Sequence, residues 1–151
     1  MRTLELRRHA KRDPNADRLS PQGQVQAEAV GRTLAGNYAV VFVSPAQRAA
    51  ETVAWFLRGL GQQLPRHAVI PGLAAQDNDG SALALAGVVA ALLDAVPDGE
   101  RGLAVGHTPL IERAVFGLKV LEIGALGECE GVLLTKEGEE GPIAIEELRL
   151  R

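Results

Sequence analysis

Short apolar runs alternate with helix-like segments along most of this 151-residue chain, and that alternation constrains the fold more than any other feature. Strands separated by helices pair in parallel, because each helix carries the chain back to the same end of the sheet. The first run covers residues 3–7, with Leu4 and Leu6 on one face. After a polar loop containing Pro14, Ser20-Pro21 opens a helix that carries Val25, Ala29, Val30 and Leu34 and stops near Gly36. Serine accepts an orphan amide at such a start, and proline has no amide to orphan. A second strand at 39–43 runs into Ser44-Pro45-Ala46-Gln47, a capping-box spacing. The helix behind it buries Ala49, Val53, Phe56, Leu57 and Leu60 at three- and four-residue intervals. A third strand at 68–70, a helix at 81–96, a fourth strand at 102–106 and a helix from Thr108-Pro109 to about Gly117 continue the pattern. Residues 131–135 and 142–150 read as a terminal hairpin across Glu137-Gly138-Glu139. The expected architecture is α/β: a mostly parallel central sheet flanked by helices, with a C-terminal hairpin, in one domain over residues 1–151.

Composition removes several functions. At 46% hydrophobic and 23% charged residues the chain is globular. Nineteen acids against sixteen bases leave a net charge of −3, so no global basic excess exists to hold nucleic acid or an anionic membrane. One cysteine, Cys129, excludes an intrachain disulfide and a four-cysteine zinc site. The apolar run at 82–93 falls short of the ~20 residues that span a bilayer. The opening MRTLELRRHA lacks the apolar core of a signal peptide, so a cytoplasmic location is expected.

Ligands of open α/β sheets bind beyond the carboxyl ends of the strands. The first strand delivers Arg7, Arg8 and His9 there; the second delivers Ser44 and, one turn on, Arg48; the fourth delivers His107 and Thr108. Helix N-termini point at the same edge with free amides and partial positive charge. The result is an electropositive spot in an acidic protein, suited to a compact anion such as phosphate, which an arginine fork matches at two oxygens. One histidine can attack phosphorus through a neutral ring nitrogen, since neighbouring arginines disfavour the imidazolium. The other can donate to the equatorial oxygens. Two arginines and a histidine supply the charge without a metal or cofactor.

Arg8-His9-Ala10, the run Ser44-Pro45-Ala46-Gln47-Arg48-Ala49-Ala50-Glu51-Thr52, and Gly106-His107-Thr108-Pro109 resemble the histidine phosphatase superfamily, whose members share the phosphoglycerate-mutase-like three-layer fold. The resemblance covers roughly residues 4–117 and implies that His9 is the nucleophile, with Arg8, Arg48 and His107 completing the phosphate pocket. Asn15 falls where the family often has a phosphate-contacting asparagine, and Leu19-Ser20-Pro21-Gln22-Gly23 looks like the family's opening of its first helix. Ala10 replaces the usual glycine, and Pro71-Gly72-Leu73-Ala74-Ala75 has alanine where mutases and many metabolite phosphatases place a glutamate acid. The short stretch between Arg48 and His107 leaves no room for a large lid. These departures look like the small bacterial phosphohistidine phosphatase type, whose substrate leaves without an acid because the departing imidazole carries its own proton.

The expected activity is therefore phosphatase action on a phosphohistidine protein or a small phosphomonoester. Asp77 or Asp79 could serve as acid if their loop folds over the site. Arg18 and Thr108 could reach the substrate, Thr108 through its amide, while Ser44 and Thr108 are first of all helix caps. Arg7 faces away from Arg8 and is structural or solvent-facing; Lys11, Arg12 and His67 are surface residues; Trp55 is a packing residue and Cys129 a small buried hydrophobe. Two rivals are a sugar- or nucleotide-phosphate phosphatase of the same fold and a non-catalytic module that binds a phosphoryl ligand or phosphoprotein. A mutase would need the missing acid.

Overall fold

A computed structural model describes residues 1–74 and 81–150. Six strands form one sheet: β1 (Arg2–Arg8), β2 (Val40–Val43), β3 (Arg66–Val69), β4 (Arg101–Gly106), β5 (Gly131–Lys136) and β6 (Ile143–Leu148). Among the described residues four α-helices lie between them: α1 (Pro21–Gly31), α2 (Gln47–Leu60), α3 (Ala82–Ala95) and α4 (Leu110–Lys119). The strand order is β3-β2-β4-β1-β5-β6. The first four of these run parallel, and β5 and β6 add an antiparallel hairpin at one edge. The expected mostly parallel sheet with a C-terminal hairpin is what forms.

Two apolar cores make the three layers. Leu4 and Leu6 of β1 meet Val89 and Leu93 of α3 and Ile111 and Val115 of α4 on one face. Val41 and Val43 of β2 and Leu103 and Val105 of β4 meet Val30 of α1 and Val53, Phe56 and Leu57 of α2 on the other. Burying such a side chain contributes about 1.5–3 kcal/mol, so neither face is dispensable. The sheet residues between helices on both sides must be apolar throughout, which is why β2 is buried at every position.

The first helix corrects one expectation. Val25 is 71% exposed, and the inward face of α1 is Gly23, Ala27, Val30 and Gly31. The small face lets α1 lie against α2 almost backbone to backbone. A Cβ on Gly31 would come within 2.3 Å of the Phe56 carbonyl oxygen, and one on Gly59 within 2.1 Å of that of Glu28. This close approach joins the C-terminal halves of the two helices.

Beneath the sheet's polar edge sits a buried ionic network. Glu5, 2% exposed, accepts from Arg7 Nε at 3.0 Å, Arg101 Nε at 2.9 Å and the Tyr38 hydroxyl at 2.6 Å. Arg7 also donates to the Cys129 carbonyl at 2.9 Å. Arg7 is thus structural. Cys129 is fully buried, and burial pushes its thiol up to about 12. No helix among the described residues is long and apolar enough to cross a membrane.

Candidate active site

Parallel strands β1, β2 and β4 end side by side, and each hands its next residues to the same edge. His9 follows β1, Ser44 follows β2, and His107 follows β4. The end of β1 is pinned: the His9 N–H donates to the Gly106 carbonyl at 3.1 Å, and Cys129 N–H donates to the Arg8 carbonyl at 3.1 Å. The two imidazoles lie edge to face with centroids 5.2 Å apart. They are 7% and 3% exposed, too buried to be solvated edge residues.

Arg48 lies between them. Its Nε donates to His9 Nε2 at 3.3 Å, and its Nη2 lies 3.4 Å from His107 Nδ1. The other nitrogen of His9, Nδ1, is 2.7 Å from the Ala10 carbonyl oxygen. A carbonyl only accepts, so Nδ1 carries the proton and Nε2 keeps a lone pair facing Arg48. Burial lowers the His9 pKa; the Ala10 carbonyl opposes this, and Arg48, Arg8 and Arg12 add to the lowering. For His107, burial and then Arg48 and His9 lower the value to about 4. Both rings are therefore neutral near pH 7.

Arg8 completes the set from another direction. Its Nη1 donates to the Leu126 carbonyl at 2.8 Å, its Nε is buried without a hydrogen-bond partner, and its charge lowers both histidines. Of the four side chains singled out from sequence, His9, Arg48 and His107 thus meet, and Arg8 stands near enough for its charge to act on both rings.

Asp17, which sequence reasoning missed, holds Arg48 in place. It sits in the loop before α1. One oxygen accepts from Arg48 Nη1 at 2.8 Å and the Arg48 backbone N–H at 3.1 Å; the other accepts from the Gln47 N–H at 2.9 Å. Burial of Asp17 works against ionisation, but these bonds outweigh it and hold the carboxyl below its usual range. Asp17 therefore caps α2 from a distant loop. This overturns the expected Ser44–Gln47 capping box: the cap position is Ala46, with no side-chain cap bond. Ser44 instead lies 2.7 Å from His107 Nε2 and accepts from Ala46 N–H at 3.2 Å. Thr52, one turn after Arg48, donates to the Arg48 carbonyl at 2.8 Å and accepts from Ala10 N–H at 3.0 Å, tying the two motifs together. The Ser-x-x-x-Arg-x-x-x-Thr spacing carried a signal for Thr52. Nothing local marked Asp17, because its partners lie thirty residues on.

The remaining residues stand further out. Asn15 is exposed, its backbone N–H donating to Asp13 Oδ1 at 2.8 Å. Arg18 is also exposed and turns to Asp13 Oδ2 at 3.1 Å. Thr108 is half-buried beside His107 but does not cap α4, whose cap position is Pro109. Ala74 closes a short 3-10 turn, Pro71–Leu73, and Asp77 and Asp79 lie outside the described residues. Among the described residues no cluster of three or more His, Cys, Asp or Glu side chains could hold a metal ion.

The family model of the histidine phosphatase superfamily (branch 1) matches residues 4–74. No curated protein sequence matches the chain. Among solved structures, a phosphoserine phosphatase from Entamoeba histolytica in complex with 3-phosphoglyceric acid superposes with a TM-score of 0.79 at 17% identity, covering 100% of this chain and 98% of that one. The protein histidine phosphatase SixA complexed with tungstate gives 0.77 at 22% identity, covering 97% and 96%. A phosphoglycerate mutase from Bacillus anthracis str. Sterne gives 0.81 at 16% identity, covering 97% and 92%. The phosphoglycerate-mutase-like fold therefore extends over the described residues, and residues 4–74 match the sequence model of the histidine phosphatase superfamily, branch 1.

Proposed function

We propose that the protein is a phosphatase that works through a phosphohistidine at His9 and that its preferred substrate is a phosphorylated histidine on a protein, with small phosphomonoesters as the alternative class. One observation carries the mechanism: the Nε2 lone pair of a neutral, buried histidine faces an arginine that also touches the second histidine. In the first step the Nε2 pair forms a bond to phosphorus and the leaving atom departs with the P–X bonding pair. Arg8 and Arg48 neutralise the non-bridging oxygens, and His107 donates to one of them. In the second step water attacks phosphorus, the N–P pair returns to Nε2, and the water proton passes to the released phosphate or to solvent.

The substrate preference rests on the leaving group. Ala74 stands in the stretch where an acid is expected, and a phosphorylated imidazole protonated on its ring needs none. Alkyl phosphates are the second reading, because the structurally similar proteins include a phosphoserine phosphatase and a mycobacterial glucosyl-3-phosphoglycerate phosphatase.

Parallel assays with a phosphohistidine peptide, phosphoserine and a sugar phosphate separate these readings. The expected result is a kcat/KM for the phosphohistidine peptide at least tenfold above the others, lost in His9→Ala. Preferred turnover of the alkyl phosphates would overturn the substrate assignment. Saturable binding of all three with no turnover of any would overturn the enzymatic one.

A further inference from the structure

His107 is buried and has one ring nitrogen on each side of a functional boundary. Nε2 faces inward to Ser44, and Nδ1 faces Arg48 and the space beside the His9 lone pair. Because the ring is neutral, it carries a single proton, and its use to an anion depends on which nitrogen holds it.

We propose that Ser44 is a positioning residue that sets this tautomer: its hydroxyl donates to Nε2, so the His107 proton sits on Nδ1 and points at the anion space. The argument is one of satisfying every donor. Ser44 is 1% exposed, so its hydroxyl proton needs an acceptor within the protein. Two groups lie within hydrogen-bond distance of Oγ among the described residues, Ala46 N and His107 Nε2. The Ala46 N–H can only donate, so it occupies an Oγ lone pair. That leaves Nε2, at 2.7 Å, as the acceptor for the hydroxyl proton. The opposite tautomer would place a second donor on Oγ and bury a hydroxyl proton with no acceptor.

The outer side of the ring sets a weak opposing contact against this one. Arg48 Nη2, which can only donate, is 3.4 Å from Nδ1, at the far limit of a hydrogen bond. A proton on Nδ1 gives up that long contact but keeps the 2.7 Å bond from the buried Ser44 hydroxyl, and a phosphate oxygen bound beside the two would receive both donors. Ser44 thereby makes His107 a donor without charging it, so the ring does not have to capture a proton before each turnover. This last consequence rests on the phosphatase reading; the tautomer itself rests on geometry.

The test is long-range proton–nitrogen NMR on the full chain with nitrogen-15-labelled histidine, near neutral pH, with and without inorganic phosphate. The exposed His67 is assigned through His67→Gln. The expected spectrum has His107 protonated at Nδ1, with that proton shifting when phosphate is added. Ser44→Ala should move the proton wholly or partly to Nε2 and lower kcat by up to about 100- to 1,000-fold, the cost of one oxyanion donor. Ser44→Thr, which keeps the hydroxyl, should keep the Nδ1 tautomer and recover most of that loss. A wild-type spectrum with the proton on Nε2 would overturn the proposal, as would an unchanged tautomer in Ser44→Ala. If Ser44→Ala does not fold, the wild-type spectrum alone decides. An Nδ1-protonated ring in a protein with no turnover would uphold the tautomer and count only against the phosphatase reading.

Discussion

At the scale of single residues, the site depends on two histidines kept neutral by their surroundings. In the proposed mechanism His9 attacks only with its lone pair free, and its pKa lies below the ordinary 6.5. The acid limb of kcat/KM should therefore fall below pH 6.5, so activity persists where a solvated imidazole would be half protonated. Arg48→Met removes a positive neighbour and should move that limb upward as well as slowing the reaction; a limb at or above 6.5 in the parent protein would contradict the electrostatic account. His107 carries a stability consequence. Its folded value, lowered from 6.5 to about 4, means that the unfolded chain takes up its proton first as pH falls. The stability of the folded state is therefore full above pH 6.5 and declines between 6.5 and about 4, by about 3 kcal/mol for this group. Urea denaturation across that range should show a shallower decline in His107→Asn than in the parent chain. Equal slopes would show that His107 titrates normally.

Elements bring these residues together, and the joint that matters most is between the loop before α1 and the start of α2. Asp17 caps the Gln47 and Arg48 amides and holds the Arg48 side chain. Asp17→Ala should cost about 1 kcal/mol for the cap, a drop of about 2–4 °C in melting temperature for a chain of this size. It should also raise KM more than a cap alone would, because Arg48 loses its carboxylate support. A variant with lowered melting temperature and unchanged KM would reduce Asp17 to a cap. The elements themselves were largely legible in sequence: the Ser20-Pro21 start is used, with Ser20 accepting from Gly23 N–H, and Ser81 caps α3 in the same way. Local chemistry determines those features. The capping box at Ser44 was not legible, because a remote carboxylate took the helix amides and a remote imidazole took the serine. Val25 misled for a related reason: α1 packs through glycine and alanine against another helix backbone, and hydrophobic pattern does not record such close approach.

For the molecule as a whole, an acidic protein with a net charge of −3 gathers Arg8 and Arg48 around two neutral rings at one end of its sheet. Strand-end placement made the four principal residues readable, since parallel strands deliver their final side chains to one edge. Asn15 was placed by motif and Arg18 by its nearness in sequence, and the Asn15 backbone N–H and the Arg18 side chain both bond Asp13 on the exposed loop. Inorganic phosphate at a hundred times its dissociation constant should stabilise the fold by about 2.7 kcal/mol, read as a rise in melting temperature. Arg48→Ala should reduce that rise, and a melting temperature indifferent to phosphate would leave the site without its anion.

The central claim is the covalent role of His9, and rapid quenching of the protein during turnover of a labelled phosphoryl donor tests it most directly. The account predicts a phosphoryl group bound to the chain, labile to acid and stable to base, located at His9 and absent from His9→Ala. Turnover without any such adduct, or an adduct that survives in His9→Ala, would contradict it.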